Sequence, residues 1–268
     1  MSVRTSTTTR SDRVPAAAAP GPGAAAVRAA VYRYLAMAFS DPSAGAAAAL
    51  GQQWPLAEAA LRKLGLDADA AACGGLSVAD DDALMRAHVA VFGHAVSKEC
   101  PPYGAEYGQA HIFEKTQTLA DVAGFYRAFR LDLAEGVRDR PDHIALELEF
   151  MEFLCLKQAL AEADGHGPER VEFCIKVQQR FLADHLGFWA FSFARRLRCR
   201  PEPGPYAAWA ALLEAFLVQE LSALGLPGHA DPFVNEGTVD RVDDSACGAC
   251  PLAAAGAIGE PVERRGRA

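Results

Sequence analysis

The stretch Pro141-Asp142-His143-Ile144-Ala145-Leu146-Glu147-Leu148-Glu149-Phe150-Met151-Glu152-Phe153-Leu154 decides the fold. Proline fits the first turn of a helix, and a carboxylate beside it suits the positive helix end. The apolar side chains that follow run nearly all the way round, which predicts a central helix over 141–163 buried on most sides. Other helices must therefore pack around it.

Outward from that stretch the same texture continues. Val27, Val31, Tyr34, Leu35 and Ala38 fall at helical spacing, predicting a helix over 25–39 that Asp41-Pro42 ends. Residues 44–66 read as one or two alanine-rich helices broken around Pro55. A further segment starts at Ser77, carries Asp80, Asp81 and Asp82 in or before its first turn, and stops at Gly93. Helical patterns also cover 111–129, 169–198 with a break near Gly187, and 206–224. Strand signals are nearly absent. The expectation is an all-α, single helical-bundle-like domain of about eight helices over 26–226. A leader over 1–25 is too poor in apolar residues to order itself, and an irregular tail covers 227–268.

Composition sets the outer bounds. At 268 residues and 51% hydrophobic, the chain can bury a substantial core. No run of ~18 apolar residues predicts a membrane span. The N-terminus lacks the apolar stretch of a secretory signal, so a cytoplasmic location is expected. Seven cysteines is an odd number, and Cys73, Cys155, Cys174 and Cys199 stand singly in helical text, which reads as reduced thiols. The formal charge is −8, with basic residues gathered toward the two ends. So acidic a body repels nucleic acid and anionic lipid and favours a basic partner.

Catalytic signatures are missing. There is no phosphate-binding glycine loop, no Gly-x-Ser-x-Gly and no His-Glu-x-x-His, so enzyme activity is not expected. Glu147 and Glu149 point about 200° apart on a helix and cannot work as a pair. Asp142-His143 is more informative: Asp142 can cap or charge the helix end, while His143 and Glu147, four apart, are placed for a hydrogen bond that raises the imidazole pKa. Either this is an ordinary helix start, or His143 lines a cleft with Tyr103 or Tyr107. The loop Glu99-Cys100-Pro101-Pro102-Tyr103-Gly104-Ala105-Glu106-Tyr107-Gly108 is stiffened by two prolines. Its tyrosines could anchor a bound peptide or simply pack inward. Cys247-x-x-Cys250 is half of a zinc or iron–sulfur site that Cys100, His94 or His229 could complete, or two reduced thiols.

The pieces Pro101–Tyr107 and Pro141–Met151, with Phe125-Tyr126-Arg127-Ala128-Phe129 between them, resemble the TorD/DmsD group of molybdoenzyme maturation chaperones. The Glu-Cys-Pro-Pro-Tyr loop is similar to that of the members associated with dimethyl sulfide, ethylbenzene, selenate and chlorate oxidoreductases. Tyr103 stands where better-known members carry Trp. The resemblance implies a cytosolic, non-catalytic helper. It would bind the precursor catalytic subunit of a molybdopterin oxidoreductase, often through its twin-arginine signal peptide, and delay export until cofactor is inserted. On this reading Asp142, Glu106 and Glu147 receive guanidinium groups while Tyr103 and Tyr107 pack the apolar segment. Two rival classes are a metal- or redox-responsive regulator built on Cys247 and Cys250, and a structural subunit of the mature oxidoreductase.

Overall fold

Helices account for all the regular structure among the described residues of the computed structural model, which are 23–67, 72–73, 78, 80–93, 99–108, 112–134 and 139–228. They are α1 (Ala24–Phe39), α2 (Ala46–Lys63), α3 (Asp81–Phe92), α4 (Ile112–Ala128), α5 (Ile144–Ala163), α6 (Pro168–Phe181), α7 (Gly187–Arg198) and α8 (Tyr206–Ala223). A single 3-10 turn, Gly104–Glu106, precedes α4, and a π turn, Leu182–Leu186, joins α6 to α7. All described residues lie in one compact unit that ends at Asp231. Most of the expected leader, His94, His229, Cys247 and Cys250 lie outside the described residues.

The central helix is α5, and α1 lies along it more extensively than any other helix does. Ile144, Leu148, Met151, Leu154 and Cys155 of α5 are buried, as its near-continuous apolar text requires. Its start differs from expectation. Pro141 and Asp142 form a turn ahead of the helix, and the N-cap is His143, whose Nδ1 accepts the Ala145 amide at 3.2 Å. The second expectation to change is the break at Pro55. One helix runs through it, because a proline removes a single donor while Leu50, Ala57, Ala60 and Leu61 hold both halves against the core. The 169–198 run bends at the π turn, and glycine is needed there: a Cβ at Gly187 would collide with the Leu182 carbonyl oxygen.

Two aromatic clusters fill the interior. Phe39, Phe92, Phe193, Tyr206 and Trp209 interlock at one end. Phe125, Tyr126, Phe150 and Phe181 interlock at the other, behind the site described below. Each buried aromatic contributes about 1.5–3 kcal/mol by leaving water. Between α1 and α8 lies a buried ion pair. Arg28 donates through Nε and Nη2 to the two oxygens of Glu220, both at 2.6 Å, and Tyr32 donates to Oε2 at 2.7 Å. No part of either charged side chain reaches solvent by more than 1%.

Candidate functional site

The loop 99–108 is sewn to the start of α5 by a two-residue bridge. Gly104 donates its amide to the Asp142 carbonyl and Ile144 donates to the Pro102 carbonyl, each at 2.9 Å, pairing Tyr103 antiparallel with His143. Prolines 101 and 102 hold the incoming chain extended, which is the conformation such pairing needs. The Asp142 carboxylate completes the join: it accepts the Ala105 amide at 2.8 Å and the Arg140 guanidinium at 2.6 and 3.0 Å. Arg140 also reaches Glu106 at 2.8 Å and lies over the Tyr103 ring at 4.7 Å.

These contacts give the acidic residues partners within the chain. Asp142 is fully buried and Glu106 is already bonded to Arg140 and to Lys115 at 2.6 Å. The guanidinium they receive is the chain's own. Partial burial works to raise the Glu106 pKa, but its bonds to Lys115 and Arg140 outweigh this and hold it below the usual carboxylate range. His143 is likewise buried, and its imidazole accepts the Ala145 amide rather than bonding the Glu147 carboxyl. Burial depresses its pKa against the pull of Asp139, Asp41 and Asp142, the reverse of the expected rise.

Glu147 faces elsewhere. It accepts the Trp189 indole N–H at 3.1 Å and is 1% exposed. Burial pushes its pKa well above the ordinary carboxylate value, against the Trp189 bond and with the help of Asp142. Trp189 also packs at a tilt against Tyr107, with ring centres 5.2 Å apart and planes 33° from parallel. The Tyr107 hydroxyl donates to the Pro101 carbonyl at 3.0 Å, and the Arg196 guanidinium lies over its ring, 4.8 Å from the centroid. Gly104 sits so close to Trp189 that a Cβ would fall 2.8 Å from its Nε1. Only glycine lets the 3-10 turn rest on the indole.

Together these residues form one wall of a cavity of about 620 Å³. Tyr107, Phe125, Phe188 and Trp189 supply aromatic surface and Glu147 reaches it from α5. Asp121 of α4, Arg180 of α6, and Asp184 and His185 of the π turn add titratable groups to the lining. Asp184 pairs with Arg180 at 3.3 Å, while Asp121 accepts only an uncharged donor, Gln117 Nε2 at 3.2 Å. Burial lowers the His185 pKa, so its imidazole is neutral. The cavity is thus aromatic with a net acidic lining, a surface suited to apolar groups accompanied by a cation.

Of the expected site residues, Tyr107 and Glu147 line the cavity; Tyr103, Glu106, Asp142 and His143 build the join that positions its wall. Tyr103 donates to Asp139 at 3.2 Å, and burial with that neighbour's charge pushes its pKa up to about 12. Sequence reasoning missed Arg140, Trp189, Asp121 and Phe188. Arg140 was legible as a cation two residues from Asp142; nothing in a single sequence links Trp189 to Glu147 across 42 positions. Of the residues expected at a metal site, Cys100 lies among the described ones. It is fully buried, its thiol points to the Phe193 carbonyl at 3.9 Å, and burial pushes its pKa to about 12. Among the described residues no group of three potential ligands is placed to hold a metal ion.

Comparison with known proteins places this architecture. The selenate reductase assembly chaperone protein of Thauera selenatis is 34% identical over 107 residues, 40% of this chain and 53% of that protein. The chlorate reductase assembly chaperone protein of Ideonella dechloratans is 32% identical over the same shares. The chain thus spans about half the length of these two relatives. Chaperone protein TorD of Psychrobacter sp. (strain PRwf-1) is 29% identical over 209 residues, 74% of this chain and 91% of that one. The nitrate reductase delta subunit family matches residues 44–195, a span that holds the loop, the central helix and the cavity. The chain belongs to that family, the TorD-like group its loop and helix motifs resemble.

Proposed function

We propose that this protein is a dedicated assembly chaperone, without catalytic activity of its own, for the catalytic subunit of a molybdopterin oxidoreductase. It holds the unfinished subunit, including an arginine-bearing leader where there is one, while cofactor is inserted, and it does so in the cytoplasm. The observation that carries this reading is the 620 Å³ cavity with aromatic walls and acidic lining. Such a surface can take a large apolar side chain and a neighbouring cation from an extended or helical segment. The loop–helix join fixes that wall in place, which keeps the ordering cost of binding low. An affinity near micromolar, about −8 kcal/mol, permits both capture and release.

Gly124 offers a test that leaves the fold intact. It lines the cavity from α4, and a Cβ added there meets nothing within 4 Å. Gly124→Trp therefore meets no clash at its Cβ, brings an indole to the cavity lining and removes a helix-interior glycine. Tagged wild-type chain expressed in its own cell is expected to co-purify with a molybdopterin oxidoreductase subunit identified by mass. The Gly124→Trp chain, with an unchanged melting curve, is expected to retain about one-tenth as much or less, a loss of roughly 1.4 kcal/mol or more. Equal capture by the two chains rejects the cavity as the contact site.

A further inference from the structure

The central helix is not covered on every side. Leu146, Glu149, Phe153, Leu156 and Leu160 recur at alternating spacings of three and four, so they form one stripe along α5. Leu156 is 48% and Leu160 58% exposed, and Phe173 of α6, which packs on Phe129, is 56% exposed. At the N-terminal end of the stripe lies a largely apolar hollow of about 280 Å³, lined by Leu131, Leu133, Leu146, Phe150 and Phe153 with Asp132 and Glu149. It shares no lining residue with the larger cavity. An exposed seam of this pattern is the surface a second helix packs against.

Two unpaired charges say which helix. Glu149 forms no hydrogen bond or salt bridge among the described residues, and Arg33, which acts on it electrostatically, is bonded to Glu152 instead. Lys157 lies over the rings of Phe129 and Phe153, at 5.9 and 5.3 Å, and has no carboxylate partner among the described residues. The two are eight residues apart on one helix, about 12 Å, and cannot meet each other. We propose that this stripe is a dimer interface, along which α5 of one copy pairs antiparallel with α5 of a second copy about a two-fold axis beside Phe153. That register sets Glu149 of each copy opposite Lys157 of the other, and Leu146 opposite Leu160. A parallel pairing would set Glu149 against Glu149 and Lys157 against Lys157. Only the antiparallel arrangement is self-complementary. Desolvation and the charge of Glu152 hold the Glu149 carboxyl above its ordinary pKa, a state that a facing ammonium relieves.

Sedimentation velocity of the full chain over a roughly hundredfold concentration range tests this by mass action. Wild type is expected to pass from monomer to dimer. Glu149→Lys and Lys157→Glu each place like charges together twice in the dimer and are expected to weaken it about tenfold. The double variant Glu149→Lys/Lys157→Glu restores the opposite pairs and regains wild-type association, as does an equimolar mixture of the two single variants. Melting curves of the monomers confirm that each variant folds. A wild type that stays monomeric throughout overturns the proposal and leaves the stripe to a partner of another kind. A dimer indifferent to the single swaps, or singles that the double variant does not rescue, also overturns it.

Discussion

Glu220→Ala is expected to cost about 3–5 kcal/mol of stability, a large share of what a domain of this kind has to lose. The reason is what it leaves behind. Arg28 is 1% exposed, and its Nη1 has no hydrogen-bond partner even in the wild type. Its other two donors end on Glu220, as does the Tyr32 hydroxyl. Removing the carboxylate strands a guanidinium and a phenol in the interface between α1 and α8, with no water to take over. Glu220→Gln retains an acceptor for only part of this set and should fall between. The paired replacement Arg28→Met/Glu220→Leu removes both charges and should regain most of the loss, because a buried ion pair is worth little net over apolar packing of similar volume. Denaturant midpoints of the four proteins decide the matter. A Glu220→Ala midpoint within error of wild type would mean that the pair is not buried as described.

Asp142→Ala is expected to have the second largest effect, about 2–4 kcal/mol, felt first in the loop 99–108. It takes away the acceptor of the Ala105 amide and two of the bonds that hold Arg140. Arg140 keeps Glu106 but loses its anchor to the helix start, so the clasp over Tyr103 loosens. Amide exchange reads this directly. The Gly104, Ala105 and Tyr107 amides, all bonded in the wild type, should exchange faster by orders of magnitude than those of α1 or α8 change. Asp142→Asn keeps the shape and one acceptor and should lie closer to wild type. Unaltered exchange in the loop of Asp142→Ala would contradict the anchoring role.

The fold was legible from local patterns because helices announce themselves through spacing. The near-uniform apolar text of 144–155 demanded burial on most sides, and α1 and its neighbours supply it. Boundaries were less legible where a side chain chooses between two local bonds. His143 rather than Asp142 caps α5, because Asp142 is drawn away to the Ala105 amide and Arg140, partners that a helix-start rule does not include. Pro55 was over-read as a breaker for the opposite reason: tertiary packing of α2 outweighs one lost hydrogen bond. The site was half visible. Acidic and aromatic residues were singled out, but which acid is buried, which is clasped by a cation and which faces a cavity depends on contacts between distant elements. Glu147 meets Trp189, and Gly104 admits that indole, only once α7 is in place.

Chaperoning of a molybdopterin enzyme is tested most directly by the molybdenum content of its catalytic subunit. That subunit would be purified from cells lacking this chain and from cells supplied with wild type or with Gly124→Trp. Subunit made with wild-type chain should carry close to one molybdenum per polypeptide, and subunit made without the chain or with Gly124→Trp should be largely metal-free. Full molybdenum content in all three would contradict the role assigned to this protein.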